Sequence, residues 1–329
     1  MPNKPKAHHY IPQSYLQEFT DPTTPGYLWV YPHASADIRK AAPKTVAFSN
    51  YYYAFTKPNG EVDQESFEKI LSDVEGTAAT IAQKVIDRGP LSEEEKENYA
   101  GFLAVMVLRV PAFRQRIEEV MGNVALEMGK FMASVPRVFN EVTDWLEANS
   151  EFDLEGMSRA ELRKSILADD YKMVVEPQAS LHTFTHIGEM ASVFADMHWT
   201  FVETPAGKHF LTSDNPVAVL NTETWAFIPY IAGMLDPKVQ VTFPITRDLA
   251  LLARWVEEPD DYCQGSAWLV TKINQRTLIN AHREAYACEH SPALRRFVDE
   301  YLATAKPGPA PVPKGPFRGF PTGSKERLE

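Results

Sequence analysis

The spacing of apolar residues changes near Met197, and this change constrains the fold more than any other feature of the chain. From residue 61 to residue 195 apolar side chains recur every three or four positions, which is typical of amphipathic helices. Beyond Met197 the period falls towards two, so that residues 199–203 and 209–212 read as a β-hairpin and two runs within residues 239–253 as further strands. The pattern predicts an α+β fold with a β-rich N-terminal segment, a central helical bundle and a C-terminal antiparallel sheet with a covering helix.

Capping residues and prolines set the predicted helix boundaries. Ser92 and Ser158 each precede a glutamate by three positions, which is the capping-box pattern of a helix N-terminus. The Arg-Gly-Pro run at residues 88–90 is expected to stop the first long helix, and Pro111 is expected to kink or restart the helix before it. Residues 267–288 roughly keep one apolar face and are expected to form the covering helix.

We expect one α+β domain over residues 1–305. Its first part, residues 8–60, is extended, its middle part, residues 61–195, is helical, and residues 196–305 mix strands with helix. Residues 306–329 contain six prolines among glycines and charged residues, and this composition predicts a disordered tail.

Composition limits the classes of function. The 329 residues carry a formal net charge of -11, which opposes broad, non-specific binding to nucleic acid. No apolar run approaches the roughly 20 residues of a membrane span, and the N-terminus lacks the apolar core of a signal peptide, so a cytoplasmic protein without membrane contact is expected. Cys263 and Cys288 lack metal-site spacing and are interpreted as buried thiols.

Two adjacent histidines, His8 and His9, open the aromatic segment His-His-Tyr-Ile-Pro. In an extended chain neighbouring side chains point to opposite faces, so one of the two at most addresses a given site. An imidazole here can act as a metal ligand or a general base. The alternative is that it anchors the N-terminal strand through hydrogen bonds.

Ser213, Asp214 and Asn215 bring a hydroxyl, a carboxylate and an amide to the place where a predicted strand meets a turn. Asp214 could bind a metal or orient a histidine, while Ser213 and Asn215 could contact a substrate. Serine, aspartate and asparagine are equally the residues of a side-chain-capped turn, and both interpretations stand at this point.

Arg109 lies within an apolar run before Pro111, where a guanidinium must either extend to the surface or pair with a buried carboxylate. Glu65, Glu68 and Glu75 on the preceding helix are available partners. A structural ion pair at this helix junction is one interpretation, and binding of an anion or phosphate is the other.

His182, His186 and Glu189 would share one face if they lay on a single α-helix, which is a spacing that can present zinc ligands. The more common interpretation of such a histidine pair is a polar helix face. Walker A, GxGxxG and GxSxG motifs are absent from the sequence, which weighs against ATPases, dinucleotide dehydrogenases and α/β-hydrolases.

Taken in order, these motifs resemble the domain of unknown function 4238 family from about His8 to about Cys288. The segments that carry the resemblance are residues 8–16 (HHYIPQSYL), 51–53 (YYY), 109–111 (RVP) and 210–217 (FLTSDNPV). The resemblance implies a single α+β domain and names no function. It implies that the following residues belong to the family's signature motifs: His8, His9, Ser213, Asp214, Asn215 and Pro216.

A second similarity is to His-Asn-His nucleases, whose motif opens with a similar histidine string and holds a divalent metal. Here the first histidine after Asn50 is His182, so the compact metal motif of those nucleases cannot form locally. A nuclease of this kind would need Asp214 or His182 brought in from a distant part of the chain.

The residues allow two readings of function. In the first, the protein is a metal-assisted phosphoester hydrolase in which His8 or His9 is base or ligand, Asp214 is a ligand of a divalent metal, and Arg109 neutralises phosphate. In the second, it is a non-catalytic interaction module whose motif residues are structural. A pocket shared by a histidine and Asp214 would favour the first reading.

Overall fold

The computed structural model of the chain has the α+β fold that the sequence predicts. It describes residues 7–33, 37–50, 52–53, 55–56, 62–63, 66–150, 154, 156–170, 177–228, 231–256 and 261–304. Its α-helices are α1 (Gln13–Gln17), α2 (Ser66–Ile86), α3 (Glu93–Leu108), α4 (Pro111–Ser134), α5 (Pro136–Asn149), α6 (Arg159–Leu167), α7 (Ile187–Asp196), α8 (Ile231–Met234), α9 (Ala267–Asn280) and α10 (Pro292–Leu302). Short 3-10 helices cover Pro43–Thr45 and Pro177–His186.

The strands of the described residues are short. They are β1 (Ala7–His9), β2 (Leu28–Pro32), β3 (Arg39–Ala41), β4 (Phe48–Asn50), β5 (Phe55–Thr56), β6 (Val62–Asp63), β7 (His198–Glu203), β8 (Thr212–Ser213), β9 (Ala218–Asn221), β10 (Val239–Pro244), β11 (Leu249–Arg254), β12 (Tyr262–Gln264) and β13 (Glu284–Ala287).

The chain divides into two compact units. The first comprises Met1–Phe55, Val62–Arg114 and Thr183–Gly308, and the second comprises Thr56–Glu61, Gln115–His182 and Pro309–Glu329. This division does not test whether residues 1–305 form one domain, and the single domain stays a prediction. The predicted disordered tail over residues 306–329 lies outside the described residues.

The first unit contains a five-stranded sheet in the order β12-β7-β11-β10-β9. Its pairs are antiparallel, except that β12 runs parallel to β7. The predicted strands after Met197 are therefore confirmed for β7, β10 and β11. Residues that are paired across neighbouring strands lie on the same face of the sheet. Along each strand, successive side chains point to opposite faces.

Each face of this sheet is covered by a helix. On one face Trp199 and Phe243 meet the rings of Tyr99 and Phe102 on α3. On the other face the strand residues Val202, Ala250 and Leu252, together with Phe210 of the loop after β7, form one buried cluster with Val270 and Ile273 of α9. The predicted covering helix is thus present, and the sheet is buried from both sides.

A four-stranded sheet in the order β3-β2-β13-β8 joins distant parts of the chain. It shows that two boundaries predicted from sequence were wrong. The predicted helix over residues 267–288 ends at Asn280, because the chain then turns and supplies β13 to the slot between β2 and β8. The predicted hairpin of residues 199–203 with 209–212 is absent from the described pairs, since Thr212 lies opposite Tyr286 instead.

Capping residues start the helices where the sequence predicts. Ser92 accepts a hydrogen bond from the backbone N–H of Glu95, whose carboxylate accepts one from the backbone of Ser92, and Ser158 forms the same box with Glu161. The helix α2 ends before the Arg-Gly-Pro run, and Pro111 starts α4. These predictions are confirmed. The N-terminal segment is less uniformly extended than expected, since it contains α1.

The second unit has a small core between α5, α6 and the end of α4. Ala133, Phe139 and Leu162 are its buried centre. Arg163 donates a hydrogen bond through Nε to the carbonyl of Ala133 at 2.7 Å, which satisfies a carbonyl at the C-terminal end of α4. Packing and this cap together hold α6 against α4.

Two predictions made from the composition, on membrane spans and on the cysteines, can be compared with the structure. In the part of the chain that the structure describes, no helix is both long and apolar enough to cross a membrane. Cys288 is buried and Cys263 is partly buried, so the interpretation as buried thiols holds fully for Cys288 and in part for Cys263.

Candidate functional site

His8 is a buried anchor of the N-terminal strand. The strand β1 pairs with β4, and the His8 side chain is fully buried. Its Nδ1 accepts the backbone N–H of Tyr53 at 3.0 Å, and its ring stacks on the Tyr53 ring with centroids 5.7 Å apart. Its Nε2 is buried and has no hydrogen-bond partner among the described residues. The anchoring interpretation of this histidine therefore agrees with its contacts.

Arg109 fixes the backbone of the same strand. Its guanidinium donates from Nη2 to the carbonyl of His9 at 2.7 Å, from Nε to the hydroxyl of Tyr53 at 3.1 Å, and from Nη1 to the Glu75 carboxylate at 2.6 Å. The side chain is 2% exposed. The structural ion pair at the helix junction is thus present. These bonds use three of the five N–H groups of the guanidinium, and the predicted contact of Arg109 with a phosphate stays a prediction.

His9 lies beside this network. Burial lowers the pKa of its imidazole, and the positive charge of Arg109 lowers it further, so both effects favour the neutral ring. Its Nδ1 is buried and has no hydrogen-bond partner within the described residues. The ring edge packs on Phe48, with ring centroids 5.5 Å apart. A neutral imidazole with a free nitrogen is suited to accept a proton or bind a metal.

Asp214 is a clamp for the backbone. Its carboxylate is fully buried and accepts the N–H groups of His282 and Arg283, each at 2.8 Å, and of Glu284 at 3.2 Å. These three donors lead into β13, so Asp214 holds the start of that strand. Burial raises the pKa of Asp214 to about 7, although the three backbone N–H groups favour the ionised form and oppose this shift.

Ser213 and Asn215 form a capped turn. The Ser213 hydroxyl accepts the backbone N–H of Asn215 at 3.1 Å. The Asn215 side chain donates to the carbonyl of Asn280 at 2.8 Å, and Asn280 donates back to the carbonyls of Asn215 and Val217. These bonds tie the turn to the C-terminal end of α9. The contacts match the turn-forming interpretation, and the predicted contact with substrate stays a prediction.

The N-terminal motif reaches the Ser213–Asn215 turn through tyrosines rather than histidines. Burial raises the pKa of Tyr10, and the negative charges of Asp214 and Glu284 raise it further, which places Tyr10 beside both carboxyl groups. Tyr15 shares a 2.6 Å hydrogen bond with the Thr212 hydroxyl and donates to the carbonyl of Pro244 at 2.7 Å. The two segments are thus in contact through Tyr15 and Thr212, whereas the His8 ring stacks on Tyr53 and the His9 ring packs on Phe48.

The metal-ligand roles predicted for His9 and Asp214 stay predictions. Among the residues that the structure describes, no cluster of three or more histidine, cysteine, aspartate or glutamate side chains could hold a metal ion. The prediction that His182, His186 and Glu189 share one α-helix is wrong, because residues up to His186 form a 3-10 helix and α7 begins after them. His186 and Glu189, which are both exposed, pair at 3.0 Å.

A large open cavity lies elsewhere in the first unit. It has a volume of about 680 Å³ and lies at the end of the sheet where the β10–β11 turn meets α1 and the loop after β7. Its charged and polar lining includes Glu18, Lys208, His209, Arg247, Asp248 and Gln264. Sequence reasoning missed this site, because its residues stand in separate loops with no recognisable spacing.

An imidazole and a carboxylate are paired in this cavity. His209 and Asp248 meet through Nδ1 and Oδ1 at 2.8 Å, and Arg247 donates from Nε to the other oxygen of Asp248 at 3.2 Å. The backbone fixes both partners: the carbonyl of His209 accepts from Asn274 at 2.9 Å, and the carbonyl of Arg247 accepts the N–H of Phe210 at 2.7 Å. With Nδ1 occupied, Nε2 is the nitrogen of His209 that is left for chemistry.

Glu18 gives the cavity a second titratable group. Burial raises the pKa of the Glu18 carboxyl above its ordinary value, against the opposing charge of Arg247. A carboxyl with a raised pKa keeps its proton to a higher pH than an ordinary one and is the better proton donor, and an imidazole oriented by a carboxylate can accept a proton. A cavity that combines both groups with cationic side chains is a candidate site for acid–base chemistry.

A model of a family described as a protein of unknown function (DUF4238) matches residues 7–291. The match covers more than four fifths of the chain and includes both end motifs, and it confirms the resemblance inferred from them. No curated protein and no solved structure matches the sequence.

Proposed function

The chain belongs to the DUF4238 family of proteins of unknown function, and on that premise we propose that it is a hydrolase that performs acid–base chemistry in the cavity of His209, Asp248 and Glu18. The observation that carries the proposal is the 2.8 Å pair between His209 and Asp248 inside the large cavity. The roles in catalysis that the sequence suggests for His8, His9 and Asp214 stay predictions.

Phosphoesters are the proposed substrates. Lys208 and Arg247 line the cavity and would attract the phosphate. His209 takes a proton from water at Nε2 while the water oxygen bonds to phosphorus, the ester P–O bond breaks, and the leaving oxygen takes a proton from Glu18. Asp248 orients the imidazole, and the positive charge of Arg247 compensates the negative charge of Asp248.

The test is hydrolysis of bis(p-nitrophenyl) phosphate and of a single-stranded oligonucleotide, each with and without Mg²⁺. His209→Ala should lower kcat by a factor of about 10² to 10⁴, the usual contribution of a general base. His186→Ala, at an exposed histidine that also pairs with a carboxylate, is the matched control and should keep full activity. Full activity in His209→Ala, or none in the wild type with every probe, would refute the proposal.

A parallel titration examines the predicted metal site. Mg²⁺, Mn²⁺ and Zn²⁺ are titrated into the wild type, His9→Ala and Asp214→Ala by calorimetry. A shared site predicts that either substitution removes the same binding event. Loss of this metal-binding event in both variants would support a catalytic role for His9 and Asp214 and would weigh against the cavity of His209.

A surface on α4 favours the alternative of an interaction module. Met121, Val124, Met128 and Phe131 are 43%, 54%, 58% and 71% exposed. Their spacing of three, four and three residues is that of the contact positions in a coiled coil. Such an exposed apolar stripe can pack against the same stripe of an identical helix. The partner proposed for this stripe is a second copy of the chain.

Sedimentation equilibrium tests this alternative. The wild type should form a dimer, and Phe131→Glu should shift it to monomer, because a charge would be buried in the contact. Arg137→Glu, at an 88% exposed position on α5, is the control for a new acidic side chain and should remain dimeric. A monomeric wild type at high micromolar concentration would refute the dimer.

A further inference from the structure

A second, smaller pocket adjoins the cavity of His209. It has a volume of about 210 Å³ and is lined by residues of α1, α2 and α3. Glu18 at the end of α1 and Ile86 at the end of α2 line both spaces, and of the neighbours Ile245 and Thr246 the first lines the pocket and the second the cavity. The pocket and the cavity therefore meet at Glu18.

The lining of the pocket suits a flat apolar group. Tyr15, Tyr99 and Phe102 contribute aromatic rings. Three small side chains of α2 border the same space, and these are Ala78, Ala79 and Ala82. Rings and small apolar side chains are typical of a pocket that binds an aromatic ligand. An apolar cavity of roughly 150 Å³ holds a benzene ring. The pocket therefore has room for one aromatic ring with a small substituent.

The cationic side chains lie on the side of the cavity. Lys208 and Arg247 line the cavity, whereas in the described part of the chain the charged residues that line the pocket are Glu18 and Glu75. A phosphate is attracted by the cations and repelled by the carboxylates. A phosphoester that occupies both spaces therefore has its phosphate in the cavity and its apolar part in the pocket.

Tyr99 adds a polar group to the pocket. Its side chain is only 1% exposed, and burial raises the pKa of its hydroxyl. Within the described residues this hydroxyl forms no hydrogen bond, whereas the hydroxyl of Tyr15 is bonded to Thr212 and to the carbonyl of Pro244. Buried polar groups are normally paired, so a ligand with a hydrogen-bonding atom would give the Tyr99 hydroxyl the partner that it lacks.

We propose that the pocket binds the leaving group of the substrate, and that the substrate is a phosphoester of a phenol whose ring carries a hydrogen-bonding substituent. This inference rests on the proposed function, in which Glu18 protonates the leaving oxygen. Because Glu18 lines both spaces, an ester whose phosphate lies beside His209 has its leaving oxygen at Glu18 and its ring in the pocket. The substituent pairs with the hydroxyl of Tyr99. When the ester P–O bond breaks, the phenolate oxygen takes the proton of Glu18 and leaves as the phenol.

Calorimetric titration of the full chain with three phosphonates tests the pocket separately from hydrolysis, because hydrolysis of a P–O ester bond leaves their P–C bond intact. Methylphosphonate occupies the phosphate position alone, benzylphosphonate adds the ring, and 4-hydroxybenzylphosphonate adds the substituent. Benzylphosphonate should bind at least about tenfold more tightly than methylphosphonate, since its ring leaves water. Equal affinities, or no binding of any of the three up to about 10 mM, would overturn the proposal.

Two variants locate the ring. Ala82→Phe fills the pocket and should remove the preference for benzylphosphonate while methylphosphonate binds as in the wild type. Thr80→Phe, at an exposed position of the same helix outside the lining, is the matched control and should keep the preference. Tyr99→Phe removes a hydroxyl that has no partner to lose, and it should abolish only the tighter binding of 4-hydroxybenzylphosphonate. An unchanged preference in Ala82→Phe would overturn the proposal, and if that variant fails to fold, the comparison in the wild type decides.

The failure of this proposal differs from the failure of the proposed function. Preference for the ring without hydrolysis of any phosphoester would refute the hydrolase and keep the pocket as a ligand site. Hydrolysis that depends on His209, together with equal affinities for methylphosphonate and benzylphosphonate, would keep the hydrolase and refute the phenolic leaving group.

Discussion

Raising the pH from about 4 to about 8 should destabilise the wild-type protein relative to an Asp214→Asn variant. Asp214 is fully buried, and burial raises its pKa from 3.8 to about 7 in the folded state. In the unfolded chain its carboxyl returns to the ordinary value. Between these two pKa values the folded protein therefore binds more protons than the unfolded one, and stability falls as the pH rises. This sign is the opposite of the usual effect of a salt-bridged aspartate.

The size of the loss in free energy of unfolding follows from the shift in the pKa of Asp214. A difference of about three pKa units corresponds to about 4 kcal/mol, since each unit is 1.36 kcal/mol. The loss begins above the unfolded pKa of 3.8 and is complete above about pH 7. Asparagine cannot ionise, so the free energy of unfolding of the variant lacks this contribution at every pH. The difference between wild type and variant isolates the one group from all the other titrating residues.

Urea unfolding at half-unit steps between pH 4 and pH 8 measures this difference. The free energy of unfolding of wild type minus that of Asp214→Asn should fall by about 4 kcal/mol across the range. Asp299→Asn, at an exposed carboxylate in a helical pair, is the control and should show no comparable slope. If the difference in free energy of unfolding stays constant with pH, or rises, the raised pKa of the buried Asp214 carboxyl is refuted.

Three further substitutions test the packing around the sites. Tyr15→Phe should lower the free energy of unfolding by about 1–3 kcal/mol in urea, because it leaves the buried hydroxyl of Thr212 without its partner. Gly265→Ala should cost about 1–3 kcal/mol by the same measurement, because a Cβ there would lie 2.7 Å from Cγ1 of Val202, and a change below about 0.5 kcal/mol would contradict this close contact. Ser92→Ala should lower the free energy of unfolding by about 0.5–2 kcal/mol, measured by thermal denaturation, through loss of the capping box, and an unchanged melting temperature would show that the cap contributes nothing.

Local signals account for what the sequence predicted well. The capping boxes and the helix start at Pro111 depend on residues close in sequence, and the alternation after Met197 depends on one buried face per strand. The pair between Arg109 and Glu75 was foreseeable because a guanidinium in an apolar run needs an acid, and the preceding helix offered one. The α+β class follows from these elements.

Long-range pairing accounts for what the sequence missed. The apolar spacing of α9 continues into residues 281–287, so a helix was predicted where tertiary pairing with β2 and β8 imposes a strand. His209 and Asp248 stand 39 positions apart in two loops, and neither belongs to a motif. The role of Asp214 as a clamp depends on which backbone lies opposite it, which only the folded chain decides.

The four-stranded sheet has a consequence for the order of events during synthesis. Its β2 and β3 leave the ribosome early, but β13, which lies next to β2, follows more than two hundred residues later. At about 5–20 residues per second, the edge of β2 waits about 10–50 s for its neighbour. Over that interval the nascent chain presents an unpaired strand edge, the kind of surface on which chaperones and aggregation compete. Expression yield should therefore respond to the rate of elongation across the second half of the message.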